Sequence, residues 1–434
     1  MIATVVMLTI LVRQLFVLTA IVRSRAFLTA APHSATVDAA GERPALFIVI
    51  PVLRETAIIA ETIKHMVSLT EEHLAHLIIV TTARETTEPS PDRDTATMVK
   101  ELATSGGFTH LHYPDPSGLK GDQVNFAANH CASTLLADDS PADAYLVCYD
   151  ADSRPPLDAL TSFEATIAVN PNAHVFHQSS RFELRAPTHR EDGALHGLTR
   201  AVCDGGALRA NRFVLGFEIP RLINRSSSVG RLKRAACSYV YAHITGHGLC
   251  VRLSFLLDHP LPAGSPMEDM QYSFHLGSHN TEMVPVASLD HAAVPDTITA
   301  QVEQASRWFF GPARALRYLR QPSTKPGARA QLQAASALGS AGEWLGCAIT
   351  APAILATLCL ASGPLQLVAA AVAVIYLAQL VATDRTLGAP ANLRRRVIRV
   401  LTCPLATVLF GIGGLIGATN LVKGGSGIGK TERR

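Results

Sequence analysis

Three long uncharged stretches close this chain, and they restrict its architecture before any motif is read. Residues 344–361 and 365–382 carry no charge and are separated only by a Ser-Gly-Pro turn at 362–364. Residues 400–422 form the third stretch. Runs of this length reach what an α-helix needs to cross a bilayer, and a soluble helical hairpin accounts poorly for three in series. A fourth apolar run, residues 1–22, opens the chain; it holds Arg13 and Gln14 and is followed by Arg23 and Arg25. No small-residue cleavage site precedes the charged flank, so the run is expected to stay as an anchor rather than act as a signal peptide. Arg13 is costly in lipid, which points to a tilted or partly interfacial segment.

Basic residues flank these runs: Arg23, Arg25, Lys325, Arg329, Arg394, Arg395, Arg396 and Arg399. The positive-inside rule puts them in the cytoplasm. The expected organisation is an N-terminal anchor at 1–23, a cytoplasmic domain at 24–335, membrane segments within 336–423 and a basic cytoplasmic tail at 424–434. The plasma membrane is the expected location. A full span from the basic loop would leave the tail outside. Residues 400–422 are interrupted by Pro404, Gly411, Gly413 and Gly414, and are therefore expected to re-enter or to lie at the interface. A net charge of only +3 gives no reason to expect a nucleic-acid partner. The eight cysteines are scattered without a C-x-x-C pair or zinc spacing, and read as reduced thiols.

Between residues 45 and 180, short apolar runs alternate with helical patterns. Runs 45–51, 77–82, 110–113 and 144–149 read as strands, and 58–69, 98–102 and 122–136 as helices. This alternation predicts an α/β fold with a mostly parallel sheet and ligand loops at the strand C-terminal ends. No G-x-G-x-x-G follows the first strand and no G-x-x-x-x-G-K-[ST] occurs. Dinucleotide oxidoreduction and P-loop hydrolysis lose support.

Five groups of residues carry chemistry. The strand 144–149 delivers Asp150 and Asp152 to its end. Such a pair holds a divalent cation on a diphosphate or caps a turn, and alone it leaves both open. Lys120, in G-L-K-G-D-Q-V-N at 118–125, precedes a helix whose N-terminus also attracts anions; a surface lysine beside an Asp122 cap is the alternative. Glu268 and Asp269 suit proton abstraction or complement a helix dipole. Pro51 and Glu55 sit in a strand-to-helix turn. Gln304, Arg307 and Trp308 form Q-x-x-R-W, which combines a planar cation with an indole, or else marks an amphipathic interfacial helix.

In this order the five groups resemble the inverting, membrane-associated glycosyltransferases of family 2, which have a GT-A fold and include cellulose, chitin and hyaluronan synthases and ceramide glucosyltransferase. The resemblance covers about residues 44–312 and the terminal membrane segments. It implies a metal-dependent transfer from a nucleotide-diphosphate sugar, UDP- or GDP-linked, to a lipid or amphipathic acceptor. Pro51 and Glu55 would cradle the nucleoside, and Lys120, Asp150, Gln304 and Arg307 the donor. Asp152, with Asp150, would hold Mg2+ or Mn2+. Asp269 would be the general base, supported by Glu268. Trp308 and His247, the latter in the loop Gly246-His247-Gly248, would meet the acceptor. K-T-E-R at 430–433 resembles the family's K-T-x-R tail.

The chain also departs from the family. Residues 80–85, V-T-T-A-R-E, lack the Asp that contacts the base at the end of the second strand, so no residue is assigned to that role. The extra Arg of Q-R-x-R-W is missing, and the C-terminal membrane segments are few for a polymer channel. Transfer of a single sugar is therefore preferred over a short-chain processive polysaccharide synthase. A catalytically inactive membrane scaffold and a nucleotidyltransferase are the readings from other classes. Residues 185–240, rich in Arg, Gly and Ser, are expected to shape the acceptor side.

Overall fold

The structure, a computed structural model, describes residues 2–30, 43–71, 73–87, 94–104, 106–135, 144–184, 194–226 and 230–424. The basic tail and its K-T-E-R sequence lie outside the described residues.

Seven strands form one sheet: β1 (Ala45–Pro51), β2 (Ala75–Thr82), β3 (Thr109–Tyr113), β4 (Ala144–Cys148), β5 (Val175–Glu183), β6 (Leu249–Arg252) and β7 (Met283–Ala293). Their spatial order is β3-β2-β1-β4-β6-β5-β7. Neighbours run parallel except at β6, which is antiparallel to both β4 and β5. Alternate residues feed two cores. Leu46, Ile48 and Ile50 pack with Tyr145 and Val147 on one face, and Phe47 and Val49 with Leu146 and Cys148 on the other. A strand covered on both faces reads as a continuous apolar run, which is why β1 and β4 were legible. Each fully buried Ile or Leu contributes about 1.5–3 kcal/mol.

The reversed direction of β6 matters for function. Its first residue, Leu249, pairs with the last residue of β4, Cys148. The loop 245–248 before β6 therefore reaches the same sheet edge as the C-terminal ends of β1, β4, β5 and β7.

Among the described residues, four helices are long and apolar enough to cross a membrane: Ile2–Ala30, Ala328–Leu360, Pro364–Leu387 and Leu393–Val422. Their bounds exceed the apolar runs because charged and small residues extend them at the ends. The first half of Ala328–Leu360 presents Ala330, Ala334 and Ala337 to Tyr241, Phe274 and Tyr318 of the α/β domain. The second half is the apolar part, and none of its hydropathic window is buried within the chain.

The interruption expected at Pro404 and the glycines does not occur: Leu393–Val422 is one continuous helix. Its glycines are contact points instead of breaks. A Cβ on Gly411 would lie 2.1 Å from the Ala348 amide nitrogen, one on Gly413 2.6 Å from Val302 O, and one on Gly417 2.5 Å from Ser306 O. Small residues of this kind let helix backbones approach closely.

The polar residues of these helices find partners far away in the chain. Arg13 bonds Glu343 at 2.6 Å. Gln14 takes Arg212 at 3.0 Å, and Arg212 also reaches Gln379 at 2.7 Å. The basic run at 394–399, read from sequence as a membrane flank, is largely ion-paired. Arg395 bonds Asp204 at 3.0 Å, Arg396 bonds Asp384 at 2.7 Å, and Arg399, 3% exposed, bridges both carboxylates. Asp204 belongs to Ala194–Phe213, a helix in the segment that the sequence left unread. This helix packs along Pro364–Leu387 and Leu393–Val422, and so joins the domain to the long apolar helices.

Gly411→Leu should push the helix Leu393–Val422 away from Ala328–Leu360. Overpacking of this kind costs about 1–3 kcal/mol or more. The expected result is a lower unfolding midpoint in detergent; a midpoint equal to wild type would show that the contact at Ala348 is dispensable.

Candidate active site

The helix Lys120–His130 acts as a clamp on the site. Gln123 donates to Val80 O at 2.9 Å and Val52 O at 3.3 Å, tying the ends of β1 and β2 together. Asn125 exchanges two hydrogen bonds with the Leu261 backbone, at 2.8 and 3.0 Å, and Asp122 accepts from Gly264 N at 3.1 Å. These bonds hold the loop that leads into the helix Glu268–Ser278. Gly121 is required by the close approach: a Cβ there would lie 2.9 Å from Pro262 O.

The clamp brings Lys120 to the centre of the sheet edge. Its ammonium lies 2.5 Å from Asp150 Oδ1, 2.8 Å from Gly246 O and 3.9 Å from Glu268 Oε1. Burial would lower the Lys120 pKa, but the Asp150 and Glu268 carboxylates outweigh it and raise it above its ordinary value. Asp150 is in turn held far below the usual carboxylate range by Lys120 and His247, against the effect of burial. His247 lies 3.4 Å from Asp150 Oδ2, and its other ring nitrogen lies 2.5 Å from Ser180 Oγ. Burial opposes its protonation, but Asp150 and then Asp290 raise it to about 9. The residue expected to face the acceptor thus sits against the first carboxylate of the D-x-D pair. Gly248 beside it has φ +68°, and a Cβ would lie 2.2 Å from Gln178 O, so both conformation and space demand glycine.

Glu268 and Asp269 occupy the first turn of their helix. Glu268 is 7% exposed, and burial followed by the neighbouring Asp269 charge raises its pKa from 4.5 to about 7. Asp269 behaves oppositely. Burial pushes it up, but His243, at 3.6 Å, and Lys120 outweigh burial and leave it below its ordinary value. One carboxyl of the pair therefore retains a proton near neutrality and the other is ionised.

Three residues of the site escaped sequence reasoning. His243 lies beside Asp269 in a loop without periodicity. Asp290 is fully buried in β7 opposite Ser180; its Oδ1 accepts from Arg154 N at 2.9 Å, and its Oδ2 has no hydrogen-bond partner among the described residues. It stands within electrostatic reach of Asp152 and His247. Glu85, three residues beyond β2, is 5% exposed. Its Oε1 accepts from Thr95 N at 2.8 Å and from Thr95 Oγ1 at 2.5 Å, while Oε2 has no hydrogen-bond partner among the described residues. The Thr95 hydroxyl also accepts from Glu55 N at 3.0 Å. Pro51 ends β1, and Arg54 in the following turn takes a positive φ of 54°, a conformation uncommon for residues other than glycine.

Gln304, Arg307 and Trp308 lie on the helix Ile298–Ala313, which touches the site at its end: a Cβ on Gly311 would lie 2.7 Å from the Met270 side chain, next to Asp269. No hydrogen bond or ion pair described for Lys120 or Asp150 involves these three residues.

A divalent cation fits this donor set. Asp150 and Asp152 supply hard carboxylate oxygens, and the unpartnered Asp290 Oδ2 adds a further acceptor nearby. Among the described residues no group of three or more His, Cys, Asp or Glu side chains is placed to hold a metal ion. That matches an ion held by one or two carboxylates and completed by substrate phosphates and water.

No protein-family profile matches the chain, and no curated protein matches it in sequence. Among solved structures, a mannosyltransferase, PcManGT from Pyrobaculum calidifontis in complex with GDP-Man and Mn2+, shares 14% identity with a TM-score of 0.51, over 88% of this chain and 98% of its own. Glucosyl-3-phosphoglycerate synthase from Mycobacterium tuberculosis, in complex with Mn2+, UDP and glucosyl-3-phosphoglycerate, shares 14% identity over 62% of this chain and 73% of its own. Its TM-score is 0.31, and no argument rests on it. The first likeness establishes a GT-A-like fold, in agreement with the expected α/β class.

Glu268 gives a pH signature. In the folded chain it keeps its proton to about pH 7, against 4.5 for the free side chain. The folded state therefore binds the extra proton, and this group's contribution to stability falls as pH rises between those values. Glu268→Gln stays neutral throughout, so its unfolding midpoint should gain on wild type between about pH 5 and about pH 8. A difference that is constant with pH would show that Glu268 is ionised over the whole range.

Proposed function

We propose that the protein is a membrane-embedded, metal-dependent inverting glycosyltransferase of the family 2 type, which moves one sugar from a nucleotide-diphosphate donor to a lipid or amphipathic acceptor. The observation that carries this reading is the convergence of Lys120, Asp150 and Glu268 beside an ionised Asp269 at the C-terminal edge of a GT-A-like sheet. A cation site for a diphosphate and a carboxylate base stand side by side there. The GDP-Man and Mn2+ bound by the Pyrobaculum neighbour are ligands of the chemical class that such a site would take.

The chemistry follows from charge. The acceptor hydroxyl oxygen attacks the anomeric carbon as the bond from that carbon to the diphosphate breaks. The hydroxyl proton passes to Asp269, whose orientation is set by His243 and by the Met270 amide at 2.7 Å. Negative charge builds on the departing diphosphate, where the Lys120 ammonium meets it. Asp152, with Asp150, would hold Mg2+ or Mn2+, and the ion, when bound, would act as a Lewis acid for the leaving nucleotide. Glu268, protonated near neutrality, avoids a second negative charge beside the base. Pro51, Glu55 and the buried Glu85 line the nucleoside side, where Glu85 Oε2 supplies an acceptor for a base N–H. Arg307 adds a cation for the donor and Trp308 faces the acceptor; Gln304, expected at the donor, is reassigned to the acceptor side because it lines the same groove as Trp308.

In the same reading residues 1–23 anchor the chain, 24–335 lie in the cytoplasm, and 336–423 hold the remaining membrane segments at the plasma membrane. Leu393–Val422 spans, since it is one unbroken helix of 30 residues.

Asp269→Asn should keep donor binding, measured by calorimetry with a nucleotide sugar and Mn2+, and lose transfer by about a hundredfold or more. Transfer at the wild-type rate would remove Asp269 from the role of base.

A further inference from the structure

A narrow groove lies between the helices Ala194–Phe213, Ile298–Ala313 and Leu393–Val422. Arg209, Gln304 and Trp308 line it on the domain side, and Ala406, Leu409 and Phe410 on the side of the apolar helix. The Arg209 guanidinium lies over the Phe410 ring, its carbon 3.5 Å from the ring centroid. It has no hydrogen bond or ion pair among the described residues, and neither does the Gln304 side chain. Asp204, on the same helix, is taken by Arg395 and Arg399. Arg209 thus brings one uncompensated positive charge to the groove. Its contact with Phe410 holds the guanidinium in place and leaves its N–H fork for a ligand.

The helix Ile298–Ala313, which lines the groove at Gln304 and Trp308, continues to Gly311 beside the neighbour of the base. Gln304, Trp308 and Gly311 are spaced by four and three residues and share one face of their helix. Gly311 abuts Met270, the neighbour of Asp269. From Gln304 to Gly311 the helix advances about 10 Å. Along that face lie, in order, an unpartnered cation with an amide, an indole, and the base. On the other wall the apolar residues continue along a helix fit to cross a membrane.

We infer that this groove binds the acceptor, and that the acceptor is a phosphodiester lipid with a hydroxyl-bearing polyol head. This rests on the glycosyltransferase reading above and names its substrate class. Arg209 and Gln304 hold the phosphate, whose single negative charge matches the single unpartnered guanidinium. The acyl chains follow Leu409 and Phe410. The polyol passes under Trp308 and presents a hydroxyl to Asp269. The phosphate takes no part in the chemistry: the hydroxyl loses its proton to Asp269, and the lipid leaves with one sugar added.

The test uses the full chain in detergent with phosphatidylglycerol as the probe. Native mass spectrometry counts phosphatidylglycerol and diacylglycerol retained by the wild type, Arg209→Gln and Gln304→Leu, with unfolding midpoints measured in parallel. The wild type is expected to retain phosphatidylglycerol over diacylglycerol. Both variants should lose that preference, and Arg209→Lys should recover part of it. Loss of one charge-assisted contact corresponds to about tenfold in affinity. In transfer assays Arg209→Gln should raise the KM for phosphatidylglycerol by a similar factor, with a smaller change in kcat. Equal retention by the wild type and a folded Arg209→Gln would overturn the site, as would equal use of diacylglycerol. Competition by glycerophosphoglycerol as strong as by the intact lipid would overturn its assignment to a lipid. If no nucleotide sugar is turned over but the Arg209-dependent retention is observed, the lipid site stands and the glycosyltransferase reading fails.

Discussion

The Lys120 ammonium is the interaction on which the rest of the site depends. Its neighbours come from three other parts of the chain: the end of β4, the loop before β6 and the start of the helix Glu268–Ser278. A partly buried cation draws carboxylates to it, and removing either kind of partner leaves a charge uncompensated in a poorly solvated place. Much of the nearby architecture serves that convergence. The antiparallel β6 turns the Gly246–Gly248 loop to the right edge, and Asn125 holds the approach to Glu268. Gly121 gives the backbone room to close. Without a ligand, Asp150 balances Lys120; a diphosphate would compete for the same ammonium. The ion pair keeps the site charged, assembled and exchangeable.

Sequence legibility followed burial. β1 and β4 are covered on both faces, so Ile48, Val49 and Val147 announced them, and Asp150 and Asp152 followed as the abrupt end of an apolar run. Glu268 and Asp269 were visible as a pair, but their opposite proton affinities were not. Those come from the burial of Glu268 and from Asp269 lying beside His243, which only the fold creates. β6 has four residues, and β5 and β7 mix apolar with polar positions, so neither length nor period marked them. Asp290 was lost with β7. Glu85 lies in the short helical turn Ala83–Thr87 after β2, where no periodicity marked it as buried.

The membrane helices misled in a different way. Glycine and proline usually signal breaks, and at Pro404 and Gly411–Gly414 composition could not distinguish a break from a close contact. The neighbours decide: Ala348, Val302 and Ser306 stand where a side chain would be. The same applies to the arginines at 394–399, which resemble a plain flank until Asp204 and Asp384 are placed beside them. Long-range pairing of polar residues joins the α/β domain to the apolar helices, so the groove at Arg209 has walls from both.

The pair formed by Arg13 and Glu343 bears on how such a chain is assembled. The two residues are separated by 330 positions. At synthesis rates of about 5–20 residues per second, the arginine emerges on the order of 20–60 s before its partner exists. In a membrane the first helix must spend that interval with an unmatched cation, snorkelling to a headgroup or held by other proteins. Its final depth is therefore set late, by the arrival of Ala328–Leu360. The arginine, made well before its partner, reaches its native surroundings only after that partner.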